Sequence, residues 1–60
     1  MYSYRVEYNN CGFGNGYARN YNTDSLYDAV RWFDGVKYAY KHVRLINGYG
    51  DILIEHHELP

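Results

Sequence analysis

Ser25-Leu26-Tyr27-Asp28-Ala29-Val30-Arg31-Trp32-Phe33-Asp34 is the one stretch whose apolar spacing reads as an amphipathic helix. Leu26, Ala29, Val30 and Phe33 recur at i, i+3, i+4 and i+7, which puts them in one stripe on a helical period. The residues just before it, Asn22-Thr23-Asp24, are helix starters. Ser25 with Asp28 three positions on makes a capping-box-like pair, and Thr23 is an alternative cap. Asp24 and Asp28 also suit the positive end of the helix dipole. Gly35 is a natural C-terminal cap, so the helix is expected to end near Asp34. Continuation toward Lys37 or Tyr40 would place a glycine inside the helix, unfavourable by about 1 kcal/mol.

Outward from the helix, the pattern changes to strands. Tyr2-Ser3-Tyr4-Arg5-Val6-Glu7-Tyr8 alternates, with Tyr2, Tyr4, Val6 and Tyr8 on one face and Ser3, Arg5 and Glu7 on the other. Asn9 to Gly16 is rich in glycine and asparagine and reverses the chain. Tyr17 to Asn22 alternates again, and its asparagines mark it as an edge strand. After the helix, His42-Val43-Arg44-Leu45-Ile46 and Asp51-Ile52-Leu53-Ile54-Glu55-His56 flank the turn Asn47-Gly48-Tyr49-Gly50, a clear hairpin signal. The run Ile52-Leu53-Ile54 is apolar on both faces and predicts a central or covered strand.

The order is strand, strand, helix, strand, strand. It predicts a single α+β domain over residues 1–60, a four-stranded antiparallel sheet with one helix packed on one face. One short helix cannot cover both faces. The surplus aromatics are therefore expected on the open face, and exposed apolar patches of that kind mark interfaces.

Composition narrows the function. A 60-residue chain buries only about 60% of the surface its unfolded form exposes, so its core is thin. Such domains lean on disulfides, metals or partner subunits. Cys11 is the single cysteine, which excludes an intramolecular disulfide and suits a reducing cytoplasm. Six basic residues face seven acidic ones, scattered along the chain, so no strong field draws nucleic acid or an anionic membrane. No stretch reads as a signal peptide or a membrane span. Nine tyrosines stand out, each offering rigid contact area with a polar tip.

The chemistry-bearing residues read mostly as structural. Gly12-Phe13-Gly14-Asn15-Gly16 leads into a strand and not a helix, unlike a dinucleotide-binding loop. Phe13 at its tip remains a contact element. His56 and His57 are adjacent on a strand and point to opposite faces, so they cannot share an ion; His42 could join one of them only if the last two strands bring it alongside. Cys11 has neither a helix N-terminus nor an orienting group to activate it. The expectation is no catalytic residue, no metal and no cofactor.

The Tyr2 to Tyr8 strand, the glycine hairpin, the capped helix start Ser25-Leu26-Tyr27-Asp28-Ala29 and the hairpin from Val43-Arg44-Leu45 to Ile52-Leu53-Ile54 together resemble small orphan proteins of bacteriophages and prophages. The resemblance is one of organisation across the whole chain, without a diagnostic motif, so no functional residue transfers from it. It implies a host-takeover or anti-defence factor that inhibits a bacterial host protein by binding it, in the host cytoplasm, in some cases as a homodimer. The residues themselves give a non-enzymatic protein-binding module, a homodimer formed through the open sheet face or an edge strand. Its candidate interface is Tyr2, Tyr4, Phe13, Tyr17, Tyr21, Trp32, Tyr49, Ile52 and Ile54. The alternative is a single-stranded nucleic-acid module with Tyr2, Tyr4, Tyr17 and Tyr21 as stacking platforms.

Overall fold

A computed structural model describes residues 2–15 and 17–57. Strand β1 (Tyr4–Asn9) leads through a single 3-10 turn (Phe13–Asn15) to β2 (Arg19–Thr23); helix α1 (Leu26–Val36) follows, then β3 (His42–Asn47) and β4 (Ile52–His57). The four strands form one antiparallel sheet in the order β2-β1-β3-β4, as the α+β reading requires. Gly16, the last residue of the expected glycine loop, lies outside the described residues.

Register sorts the side chains onto two faces. Val6 stands opposite Tyr21 on one side and Leu45 on the other, while Tyr8 faces Arg19 and Val43. These positions look toward α1. Val6, Ala29, Phe33, Val43 and Leu45 form the buried core, and Tyr4, Tyr8, Tyr21, Val30, Val36 and Tyr40 pack around it. The helix lies across β1, β2 and β3.

The cap forms as the sequence demands: the Ser25 hydroxyl accepts from the Asp28 N–H at 3.2 Å. Two expectations for the helix need correction. It does not stop at Asp34, since Gly35 keeps helical geometry and the helix runs to Val36 with Lys37 as its C-cap. Val36 packs on the core, and that burial offsets the interior glycine. Leu26, expected in the buried stripe, remains 49% exposed. It sits at the first helical position, ahead of the segment that crosses the sheet.

β2 begins at Arg19, which leaves Tyr17 outside the strand and exposed. A buried asparagine accounts for the late start. The Asn9 amide donates to the carbonyls of Gly12 (3.0 Å) and Tyr17, and its oxygen accepts from the N–H groups of Gly12 (2.9 Å) and Cys11 (3.3 Å). One side chain thus holds both sides of the loop. Gly12 supplies the positive φ of +92° that the reversal needs.

Asn47 organises the second hairpin in the same way, its oxygen accepting from Tyr49 N–H and Asp51 N–H, both at 2.9 Å. Gly50 closes that turn at φ +88°. Further along, β4 departs from expectation. It is the edge strand beside β3, neither central nor covered, and Ile52, Leu53 and Ile54 are 47%, 46% and 41% exposed. The composition of the run suits a central or covered strand, but strand order, which sequence does not record, puts it at the edge. A bulge sits within it: Leu45 pairs with Ile54 and Ile46 with Ile52, so Leu53 is the extra residue.

Candidate protein-binding surface

The face of the sheet away from the helix is polar, contrary to the expectation that the surplus aromatics gather there. Arg5, Glu7, Arg44, Glu55, His42 and His57 occupy its registers, and Ile46 with its partner Ile52 are its aliphatic positions, at the end near the β3–β4 turn. Glu7 sits between two guanidiniums, with Arg44 Nη2 at 2.7 Å and Arg5 Nε at 3.1 Å. Phe13 folds from the loop onto this face, and the Arg44 guanidinium lies 4.1 Å from its ring centre. The strand tyrosines are on the other side, because Tyr4 and Tyr8 share the parity of the core residue Val6.

That placement decides what each candidate residue can do. Tyr4 and Tyr21 are half-buried against the core. The Tyr21 ring is already stacked on Trp32, at 4.1 Å between centroids and 9° between planes. Its hydroxyl donates to Asp28 at 2.6 Å. One of the four proposed base-stacking platforms, Tyr21, therefore has its ring engaged within the fold. Tyr2 and Tyr17 are exposed and lie outside the strands.

Other candidates do converge. Tyr2, Tyr4, Tyr49 and Leu53, with Ser3, Asn47 and Gly48, line one cleft of about 590 Å³ beside the β3–β4 turn. Leu53 belongs both to that cleft and to the exposed run Ile52-Leu53-Ile54 on the edge strand β4, in which Ile54 pairs with the core residue Leu45 and Ile52 with Ile46 on the opposite face. Leu53 was not among the sequence candidates. The signal that would have found it was its position in a three-residue apolar run, but a regular strand would have turned it away from Ile52 and Ile54. Trp32 and Phe13 lie elsewhere, the first against Tyr21 and the second on the polar face.

The two edges of the sheet differ in kind. β2 presents Arg19, Asn20 and Asn22, polar residues that discourage pairing. Across the sheet, β4 presents three aliphatic residues before its charged end. An edge strand has a row of backbone N–H and C=O groups without sheet partners, and an apolar one is a template for another strand.

The histidines also find places. His42 stands opposite His57 in the β3–β4 register, while His56 faces Val43 on the helix side. Among the described residues, no group of three or more His, Cys, Asp or Glu side chains is arranged to hold a metal ion. Cys11 is exposed. Among the described residues, no helix is long and apolar enough to cross a membrane.

No protein-family model, curated protein or solved structure matches this chain.

Proposed function

We propose that this chain is a non-enzymatic protein-binding module that pairs with a second copy of itself through the edge of β4. The observation that carries this reading is the exposure of Ile52, Leu53 and Ile54 on an edge strand. Antiparallel pairing of two β4 strands about a two-fold axis joins two four-stranded sheets into one, satisfies the edge backbone groups and removes the apolar run from water. A core built on five buried side chains gives a reason for such support. The same size argues against catalysis, since a scaffold this small has few elements with which to hold a reacting constellation rigid.

In the role implied by the resemblance to phage and prophage proteins, the dimer binds a bacterial host or defence protein in the cytoplasm, through the cleft of Tyr2, Tyr4 and Tyr49 that lies next to the seam. The nucleic-acid alternative is weakened by the stacking of Tyr21 on Trp32. Oligonucleotide binding at low salt separates the two, because phosphate contacts strengthen as salt falls.

Sedimentation velocity over a wide concentration range tests the dimer. The wild type is expected to shift from monomer to dimer as concentration rises. Leu53→Lys, at a half-exposed position, is expected to remain monomeric with an unchanged circular dichroism spectrum. A wild type that stays monomeric at the highest concentration removes the dimer; a dimer that survives Leu53→Lys removes β4 as its seam.

A further inference from the structure

His42 and His57 face each other across the β3–β4 ladder, with their Nδ1 atoms 2.7 Å apart. The distal nitrogen of His57 is engaged as well. Its Nε2 contacts Glu55 Oε1, an arrangement in which the carboxylate accepts the Nε2 proton. With its proton on Nε2, a neutral His57 presents the Nδ1 lone pair to His42. A carboxylate behind an imidazole is the outer-shell device that orients metal-binding histidines and raises their basicity.

From this geometry we infer that His42 and His57 form a two-imidazole site for a divalent transition ion, copper(II) foremost and nickel(II) next, with water completing the coordination. In the apo pair, a neutral His42 donates its Nδ1 proton to His57. Ion binding moves that proton to His42 Nε2 through solvent, so two Nδ1 lone pairs converge on the ion and no net proton is released. Two cis nitrogens about 2.0 Å from an ion are about 2.8 Å apart in a square plane and about 3.3 Å apart in a tetrahedron. The 2.7 Å spacing is that of the hydrogen-bonded pair and brings both atoms within reach of one ion as cis ligands; copper(II), then nickel(II), stand high in the affinity order of nitrogen sites for divalent first-row ions.

The surroundings favour a cation. The Phe13 ring stands edge-on to both imidazoles, with centroids 6.4 Å away, and walls one side of the pair. Arg44, the nearest fixed positive charge above Phe13, is paired with Glu7. Arg5 shares that same carboxylate, while the Glu55 carboxylate is engaged with His57. With two guanidiniums and two carboxylates around the pair, the formal charges of Arg5, Arg44, Glu7 and Glu55 sum to zero. His56 lies on the other face and takes no part.

The test is calorimetric titration of the full chain with copper(II) and with nickel(II) in a non-coordinating buffer. The wild type is expected to bind one ion, with copper tighter than nickel. His42→Ala and His57→Ala should each weaken binding at least tenfold, Glu55→Gln should weaken it about tenfold, and His56→Ala should leave it unchanged. A double variant, His42→Ala with His57→Ala, that binds within threefold of the wild type overturns the site, as does an equal loss in His56→Ala. Should a variant fail to fold, paramagnetic broadening by copper(II) in the wild-type NMR spectrum decides. Broadening centred on His42, His57 and Phe13 supports the site, and broadening centred elsewhere overturns it.

Discussion

The Tyr21 hydroxyl donates to the Asp28 carboxylate across 2.6 Å, joining the edge strand β2 to the first turn of α1. Trp32, one turn further along the helix, stacks on the same ring. A single tyrosine is thus held by its ring and by its tip, and the link pins the helix over the weaker side of the sheet. Thr23 Oγ1 accepts from Ser25 N–H at 3.2 Å and so fixes the chain between the two elements.

That link makes stability depend on pH. Asp28 titrates below the ordinary carboxyl range, chiefly because of the Tyr21 hydrogen bond and then one from Thr23. A depressed folded-state value means that the stabilisation is present above the ordinary range near pH 4 and is lost as pH falls through the lowered one. Tyr21→Phe is expected to move the acid unfolding midpoint to higher pH, read by circular dichroism during acid titration. Identical acid midpoints in variant and wild type would rule out the bond as a stabilising link. The Tyr21 phenol is correspondingly raised, again chiefly by Asp28, so its contribution is intact below about pH 10 and fades only above that.

Gly35 offers a stabilising change. It lies inside α1, and a methyl group added there meets nothing within 4 Å. Gly35→Ala is expected to add about 1 kcal/mol through helix propensity. In a domain of this size that corresponds to a rise in Tm of about 4–8 °C, measurable by calorimetry. An unchanged or lower Tm would mean that the helix needs its glycine.

Gly50 should respond in the opposite direction. A Cβ there also meets open space, but the residue holds φ at +88°. Gly50→Ala is expected to destabilise by about 1–2 kcal/mol from backbone strain alone. Urea denaturation with an unchanged m-value would report it.

Asn9 carries the first loop. Truncation to alanine leaves the carbonyls of Gly12 and Tyr17 and the N–H groups of Cys11 and Gly12 without their side-chain partner. The expected loss is about 1–3 kcal/mol. Asn9→Asp restores the acceptor but turns a carboxylate toward two carbonyl oxygens, so it should recover little. Full recovery by aspartate would show that only the acceptor side of Asn9 matters.

Much of the fold was legible because local signals agreed. The Ser25 cap, the stripe of Ala29, Val30 and Phe33, and the Asn47-Gly48-Tyr49-Gly50 turn each follow from near neighbours in the chain. What misled was long-range. Strand order is not written in Ile52-Leu53-Ile54, whose composition suits a central strand while its place is at an edge. The tyrosines of β1 share the parity of Val6, and whichever face takes the helix takes them too; that choice depends on packing. The meeting of His42 with His57 depends on register, which the turn sets but which the bulge at Leu53 shifts by one residue. Asn9 looked like any loop asparagine, since its four partners exist only once the chain has closed.

The strand order also dictates a timetable. β1 is made first yet lies inside the sheet, and its β3 partner follows about forty residues later, with Arg5 opposite Ile46. Each hairpin is local and forms quickly; the seam between them closes a long loop and therefore forms late. Until then β1 offers an open flank to any strand that arrives. The helix spans that seam, which makes it a clasp that locks two independently formed halves once they have met.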